Sequence, residues 1–446
     1  MKRIAFILSL GMAVLMTACS GDDYINVIPS DSIALMAVDM NNVEKPQLTV
    51  PPKIETLPFV ADRFGIDLSV PVYAFETKDG NIGVCAKVDD ADDVKKCIDE
   101  VLVSQEACKP LAPKKDFLFT VVSDKWVLGL SDEALLVMGP VVPAAQPQLQ
   151  LQMAKYLQAD AKKGAKESPL FARLDSLSAP VRLVAQAQAL PEQVAAVLTI
   201  GAPKEADASQ VLVAAELQAD GECLVARSQT FSLNEQIDAA IRGNQGRFRP
   251  VGDHYLMSLS DEDAAAVFVN VEGGHFLEMV KANKTLQLLL SGINTAVDMD
   301  NIIRSIDGEA AFWLHDSRDG QMAMAAQLAK TDFLADVDYW KKSAPKGMSI
   351  IDQGVNAYAV SGGDTRFCFG VTADKQFYAG SSDSVAASLG KTAAHPMPQQ
   401  VTQRLKGQRV AVALQLPRLL GEQSELVMSL LQPLFGSPRY VIYSLK

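Results

Sequence analysis

A succession of turn and cap signals that occurs twice constrains this chain of 446 residues more than any other feature. The run VPVYAFETKDGNIGVCAKVDDADDVKKCIDEVL from Val70 reads strand, Asp-Gly turn, strand, then an Asp-led helix start. The run GEAAFWLHDSRDGQMAMAAQLAKTDFLADVDYW from Gly308 reads the same way, with Asp79-Gly80 and Asp319-Gly320 lying 240 positions apart and Asp92 and Asp332 likewise. Asp-Gly takes the positive φ angles of a tight hairpin, and an Asp side chain accepts the free amides of a first helical turn. Upstream, Ser30-Asp31 and Ser260-Asp261 each precede an alternating β-favouring run, at an offset of 230. Downstream, Asp124-Lys125 and Asp374-Lys375 form turns before short strands. Ser131-Asp132 and Ser382-Asp383 then read as helix caps, and Pro147-Gln148 and Pro398-Gln399 open a further helix, all at offsets of 250 to 251. VRLVAQAQALP from Val181 echoes QRVAVALQLP from Gln408, with Arg182 over Arg409 at 227 and Pro191 over Pro417 at 226.

These landmarks predict an α+β chain of two related copies, residues 29–245 and 246–446. Each is expected to be an antiparallel hairpin-built sheet with helices packed on one face. The changing offsets put about 24 extra residues around Lys162 to Ser178 of the first copy and longer early loops in the second. The first copy alone continues through VLVAAELQADGECLVARSQTF, and its Pro-rich KPQLTVPPKIETLP stands where the second has the helix-like GGHFLEMVKANKTLQLLLSG. The join falls in the polar RGNQGRFRPVGDH, where Arg242, Arg247 and Arg249 form a basic cluster that reads as linker or, less simply, as an anion site.

The N-terminus supplies an address. Lys2 and Arg3 precede the apolar run Ile4 to Met16, and small Thr17 and Ala18 stand before Cys19. That is a secretory layout over residues 1–18, with an apolar run too short to span a bilayer. Met16-Thr17-Ala18-Cys19 resembles the cleavage site of bacterial lipoprotein signal peptides, with Met where Leu is common. The resemblance implies cleavage before Cys19, a diacylglycerol on its thiol and a further acyl chain, palmitate or similar, on its amine. Several chains buried together anchor stably where one binds marginally. Residues 19–28 then form the lipidated cysteine and tether, and Ser20-Gly21-Asp22-Asp23 resembles the acidic stretch of surface-exported lipoproteins of Bacteroides-type bacteria, or serves as a plain polar tether. YINVIPSDSIALMAVDM followed by GIDLSVPVYAF resembles the Bacteroides-type lipoproteins grouped as domain-of-unknown-function family 4836. That likeness implies a secreted, anchored α+β protein and supplies no catalytic residues.

Charge narrows the partners. The 41 Lys and Arg against 53 Asp and Glu give −12, and near −14 once Lys2 and Arg3 are removed. Such a surface repels phosphate backbones, so no nucleic-acid partner is expected. Cys85, Cys97, Cys108, Cys223 and Cys368 follow no metal spacing, and buried free thiols are the default, with a Cys97–Cys108 bridge as the alternative.

Catalytic residue types do not fall into any recognised spacing. His254, His275, His315 and His395 are scattered singly without the paired spacing zinc needs, and His315 is expected at a solvent-exposed hairpin. The chain lacks Gly-x-Ser-x-Gly, and Cys223 and Cys368 lie in strand-like runs. SGGDTRFCFG from Ser361 reads as a hairpin. Asp89-Asp90-Ala91-Asp92-Asp93 has Val94 where a calcium loop needs glycine, and so reads as a helix cap, as does Asp298-Met299-Asp300-Asn301. Trp126 and Trp313 fall in strands and Trp340 on a helix, which predicts packing rather than a sugar platform. The sequence therefore predicts no catalytic, cofactor or metal residue, and Cys19 as the one modified site.

The leading reading is an outer-membrane or surface-anchored lipoprotein that acts as a non-catalytic binding module. Its partners would be the membrane through Cys19 and a protein, small-molecule or glycan ligand in the cleft between the copies. The alternatives are an enzyme using dispersed carboxylates in that cleft, and a solute-binding lipoprotein.

Overall fold

The computed structural model describes residues 22–41, 65–283, 286–287, 297–316, 320–362, 365–382, 385–386, 389–421 and 424–445. The signal segment, Cys19 and Ser20-Gly21 lie outside the described residues. The chain is mixed α/β and divides into two compact units that part between Leu177 and Ser178.

In the first unit, β1 (Ala34–Val38), β2 (Val72–Glu76), β3 (Ile82–Lys87), β4 (Ala112–Lys114), β5 (Phe117–Val122), β6 (Trp126–Leu130) and β7 (Ala134–Gly139) pair antiparallel in the spatial order β1-β2-β3-β7-β6-β5-β4. Gly80, at φ +78, turns β2 into β3 as the Asp-Gly signal predicts. Ser123 and Asp124, both with positive φ, turn β5 into β6. Asp90 accepts from the backbone amides of Asp92 and Asp93, so the acidic run does cap the helix Ala91–Cys97. Ser131, in contrast, caps no helix. Its Oγ accepts from the Ala134 amide at 2.9 Å to close the turn between β6 and β7. The apolar run Ala134–Gly139 pairs as a strand on both sides, which outweighs the local cap signal.

The second unit contains β8 (Val181–Gln186), β9 (Leu212–Asp220), β10 (Cys223–Phe231), β11 (Ala265–Glu272), β12 (Ile306–Asp316), β13 (Gln321–Leu328), β14 (Ser349–Gly354), β15 (Ala357–Gly362), β16 (Thr365–Val371), β17 (Gln376–Gly380), β18 (Val410–Gln415) and β19 (Tyr440–Leu445). Their ladders run β8-β9-β10-β19-β18-β11-β12-β13-β17-β16-β15-β14. The expectation of a purely antiparallel sheet fails at one seam, because β10 and β19 pair in parallel. β19 follows β18 through the helices Leu416–Leu420 and Ser424–Phe435 and pairs antiparallel with it, and its other edge then runs in the same direction as β10.

Helices on one face is also corrected. In β11 the adjacent residues Phe268 and Val269 point to opposite faces and enter different cores. Val269 and Val271 pack with Leu277 and Met279 of the helix Gly273–Ala282 and with Ile302 of the helix Met299–Arg304. Phe268 packs with Val401 and Leu405 of the helix Gln399–Leu405. In the first unit Leu128 and Leu130 face Val94 and Ile98, while a Cβ on the intervening Gly129 would meet Leu157 and Met153 of the helix Gln146–Leu157. Runs such as WVLGL and AAVFV are apolar in both registers, the pattern of strands covered on both faces.

The Arg242–His254 stretch is no slack linker. Phe248 and Val251 are buried, the Arg249 amide donates to Asn270 O at 2.8 Å, and the Val251 amide donates to Gln408 O at 2.8 Å. Arg242 pairs with Asp238 and Arg249 with Asp307, so two of the three arginines of the basic cluster already have carboxylate partners.

Candidate functional site

The strands β15, β16 and β17 carry aromatics on both faces: Tyr358, Phe369 and Phe377 enter the core with Phe333 and Trp340, whereas Tyr378, next to Phe377, points the other way and packs with Cys368 and Ala386. On the Tyr378 side, Cys368, Ala386 and half-buried Tyr378 line a groove of about 440 Å³. Gly370 makes room for this packing, since a Cβ at that position would stand 2.3 Å from Tyr378 Oη. One wall is Tyr255, whose hydroxyl donates to Gln376 Oε1 at 2.5 Å. Burial pushes the Tyr255 hydroxyl well above its usual range, so it stays a neutral donor. The His254 ring lies edge-on to Tyr255 with centroids 4.6 Å apart.

The rim is polar. Thr372 Oγ1 donates to Asp374 Oδ1 at 2.6 Å and accepts from the Gln376 amide at 2.9 Å, so the pair closes the β16–β17 turn. The Thr372 hydroxyl holds the Asp374 carboxyl below its usual range. His254 and Gly390 also line a neighbouring groove of about 790 Å³ with Gln399, Gln403, Asp253 and Lys406. There Lys406 Nζ donates to Asp253 Oδ2 at 2.6 Å. With that pair satisfied internally, Asp374 and Lys391 leave the rim with one charge of each sign beside His254. The arrangement suits a polar ligand of no large net charge that also carries an apolar face.

The histidines are kept apart. His254 is in the groove, while His275 lies between Glu272 and Glu278 on the helix Gly273–Ala282. His395 contributes its carbonyl to Ser260 Oγ and the Asp261 amide. The expectation of an exposed His315 is overturned. Its side chain is 25% exposed, and its Nδ1 bonds Oδ1 of Asp263, whose side chain is 1% exposed. β12 runs on through Asp316 and pins the ring against the Ser260–Asp263 turn. Among the described residues, no three His, Cys, Asp or Glu side chains come together in a way that could hold a metal. Asp298 accepts from the Asn301 amide at 3.0 Å, the cap the sequence suggested.

Cys85, Cys97, Cys108, Cys223 and Cys368 are all unbridged, with Cys85, Cys223 and Cys368 buried. Trp313 packs edge-on against Tyr255 and Phe268, and Trp340 stacks on Phe333, so both rings are core. No described helix is long and apolar enough to cross a membrane. The groove residues Tyr255, Tyr358, Gln376 and Tyr378 were not singled out by the sequence. The signal in β17 is the adjacent pair Phe377-Tyr378, which puts one ring on each face of the sheet and reads equally well as core. Comparisons with protein-family models, curated proteins and solved structures gave no match.

Proposed function

We propose that this chain is an envelope lipoprotein, anchored through Cys19 at the outer membrane, whose body is a non-catalytic binding module with its ligand site in the groove beside His254. The observation that carries the binding reading is the groove itself, lined by the Tyr255 and Tyr378 rings, two glutamines and one charge of each sign. The anchor rests on Lys2, Arg3 and the Met16–Cys19 motif, and on the resemblance to family 4836. Duplication is part of the same proposal. The order β1-β2-β3-β7-β6-β5-β4 has the same form as β11-β12-β13-β17-β16-β15-β14, which supports a common ancestor for the two sheets. That order pairs β6 with β16 and β7 with β17, which moves the Asp124–Asp374 correspondence by one hairpin.

Two experiments test the reading. Cells fed labelled palmitate should label the wild-type chain and not Cys19→Ala; a Cys19→Ala protein that still takes up label overturns the anchor. Saturation-transfer NMR against a panel of neutral oligosaccharides and short uncharged peptides should give binders whose signal is lost in Tyr378→Ala. Binding that survives both Tyr378→Ala and His254→Ala places the ligand elsewhere.

A further inference from the structure

Each of the two ladders ends in a strand that is paired on one side, and the two free edges differ. Among the described residues β4 pairs with β5 alone and β14 with β15 alone. β4 is three residues long, and its Pro113 and Lys114 are devices that close an edge to further strands: proline lacks the amide donor, and a lysine resists burial under a neighbour. β14 is six residues long, SIIDQG, and has neither. It leaves a row of unpaired amides and carbonyls that a further strand would satisfy. The two sides of β14 differ as well. Ile350, opposite Val360, enters the core with Trp340, whereas Ile351, opposite Ala359, takes the other side and is 52% exposed. Ser349 and Gln353 flank Ile351 and are exposed and uncharged. Asp352 is the one charge of the strand, and Lys341 Nζ, on the helix Val337–Ser343, donates to its Oδ1 at 2.7 Å. The carboxylate is therefore neutralised within its own chain.

The strand that fits this edge sets uncharged side chains against Ser349, Ile351 and Gln353 and brings no second carboxylate up to Asp352. A second copy of β14 does both. Run antiparallel about Ile351, it puts Ile351 opposite its twin, Ser349 opposite Gln353 and Asp352 opposite Ile350, so apolar surface is covered and no like charges meet. Each of these pairs keeps the alternation of the strand, and the same face of the two sheets continues across the join. The regular stretch of β14 is Ser349–Asp352, which holds the centre of this register, and the bulge between Asp352 and Gly354 falls at its flank. We propose that β14 pairs antiparallel with β14 of a second copy of this chain, in a twofold contact centred on Ile351. The net charge of −12 opposes the approach at long range, but it is screened beyond about 8 Å at physiological ionic strength, and the edge itself brings no unpaired charge.

Cross-linking of the full chain in whole cells tests the contact and its register together. Cells making wild type, Ile351→Cys or Val355→Cys are oxidised with copper phenanthroline, and the wild type supplies the background from the native cysteines. Directly opposed residues of an antiparallel pair have Cα atoms about 4.5–5.5 Å apart, within the span of a disulfide, so Ile351→Cys should form a covalent dimer. Val355, at the hairpin tip, is 92% exposed and so more open to chance collision. In the proposed register it stands roughly 20 Å or more from its twin, and Val355→Cys should give no dimer above the wild-type background. Ser349→Lys with Gln353→Lys sets like charges opposite each other and should remove the Ile351→Cys dimer, whereas Ser349→Lys with Gln353→Asp should restore it. All of these positions are exposed, so the substitutions leave the core alone. The proposal is overturned if Ile351→Cys stays monomeric, if Val355→Cys cross-links as well as Ile351→Cys, or if the two charge variants behave alike. A cross-link from Ile351→Cys to a protein of another mass also overturns it, and gives the edge to a different partner.

Discussion

Replacing His315 with alanine separates a surface histidine from a supporting one. On the surface reading such a change moves stability by no more than about 0.5 kcal/mol. The structure predicts more, because the ring bonds a carboxylate whose side chain is 1% exposed. After truncation Asp263 keeps the Ser260 amide, at 2.7 Å, as its hydrogen-bond donor and loses its nearest positive or dipolar partner. Removing one side of a buried pair costs about 3–5 kcal/mol, and a hydrogen bond to a charged group is worth about 1.5–3 kcal/mol. Since a quarter of the imidazole reaches solvent, water can enter the space it leaves, and the lower figure governs. The expected loss is about 2 kcal/mol. With a urea slope of about 3 kcal/mol/M, the midpoint falls by roughly 0.7 M. Fluorescence in a Trp126→Phe background reads this cleanly, because the remaining Trp313 and Trp340 are both buried in the second unit. Asn at position 263 still accepts the Ser260 amide, so His315→Ala in an Asp263→Asn background should cost less than about 1 kcal/mol. A loss under 0.5 kcal/mol in the wild type, or the same loss in both backgrounds, would refute the buried-pair argument.

Further expectations concern other places in the fold. Lys87 donates to Asp67 at 2.9 Å, and this bond, with those from Ser69, holds the Asp67 carboxyl below its usual range. A depressed carboxylate contributes stability above its unfolded value of about 4 and loses it as pH falls through the folded value, so Lys87→Met should cost about 1 kcal/mol at pH 7 and progressively less below about pH 4 in parallel urea titrations. The neighbours Gly273 and Gly274 should respond differently to alanine: a Cβ on Gly273 would stand 1.8 Å from the Ile303 carbonyl oxygen, whereas one on Gly274 meets the movable Glu272 side chain at 3.1 Å. Thermal unfolding should show a loss of about 2 kcal/mol or more for Gly273→Ala and under about 1 for Gly274→Ala; equal losses would contradict the packing described. A thiol reagent on the native protein should modify Cys108 and then Cys97, and leave Cys85, Cys223 and Cys368 untouched until denaturant is added. Burial pushes the Cys97 thiol up to about 11, so its rate should keep climbing with pH to about that value; a plateau near pH 9 would refute it.

The features legible in the sequence are those whose chemistry closes within a few residues. Asp90 and Asp298 bond amides two or three positions ahead, and Gly80 needs only its own φ to turn β2 into β3. Pro147 likewise sits in the first turn of the helix Gln146–Leu157, where its fixed φ fits, and Pro398 is the extended residue just before the helix Gln399–Leu405. Ser131 shows the limit, since the same hydroxyl caps a helix or closes a strand turn, and the pairing of β7 with β3 and β6 decides between them.

Tertiary structure alone decided what lies far apart along the chain. The parallel seam of β10 with β19 joins residues more than two hundred positions apart, and His315 meets Asp263 across 52. The groove assembles Tyr255 with Gln376 across 121 positions. Alternation says that a strand has an apolar face but not what covers it, and in WVLGL and AAVFV both faces qualify. A carboxylate or imidazole on such a strand is read as exposed until the covering element is known. The sequence by itself thus determined local turns, caps, strand content and the Cys19 motif, because those depend on neighbours along the chain. The sites depend on neighbours in space, which hydrophobic burial on both sheet faces selects.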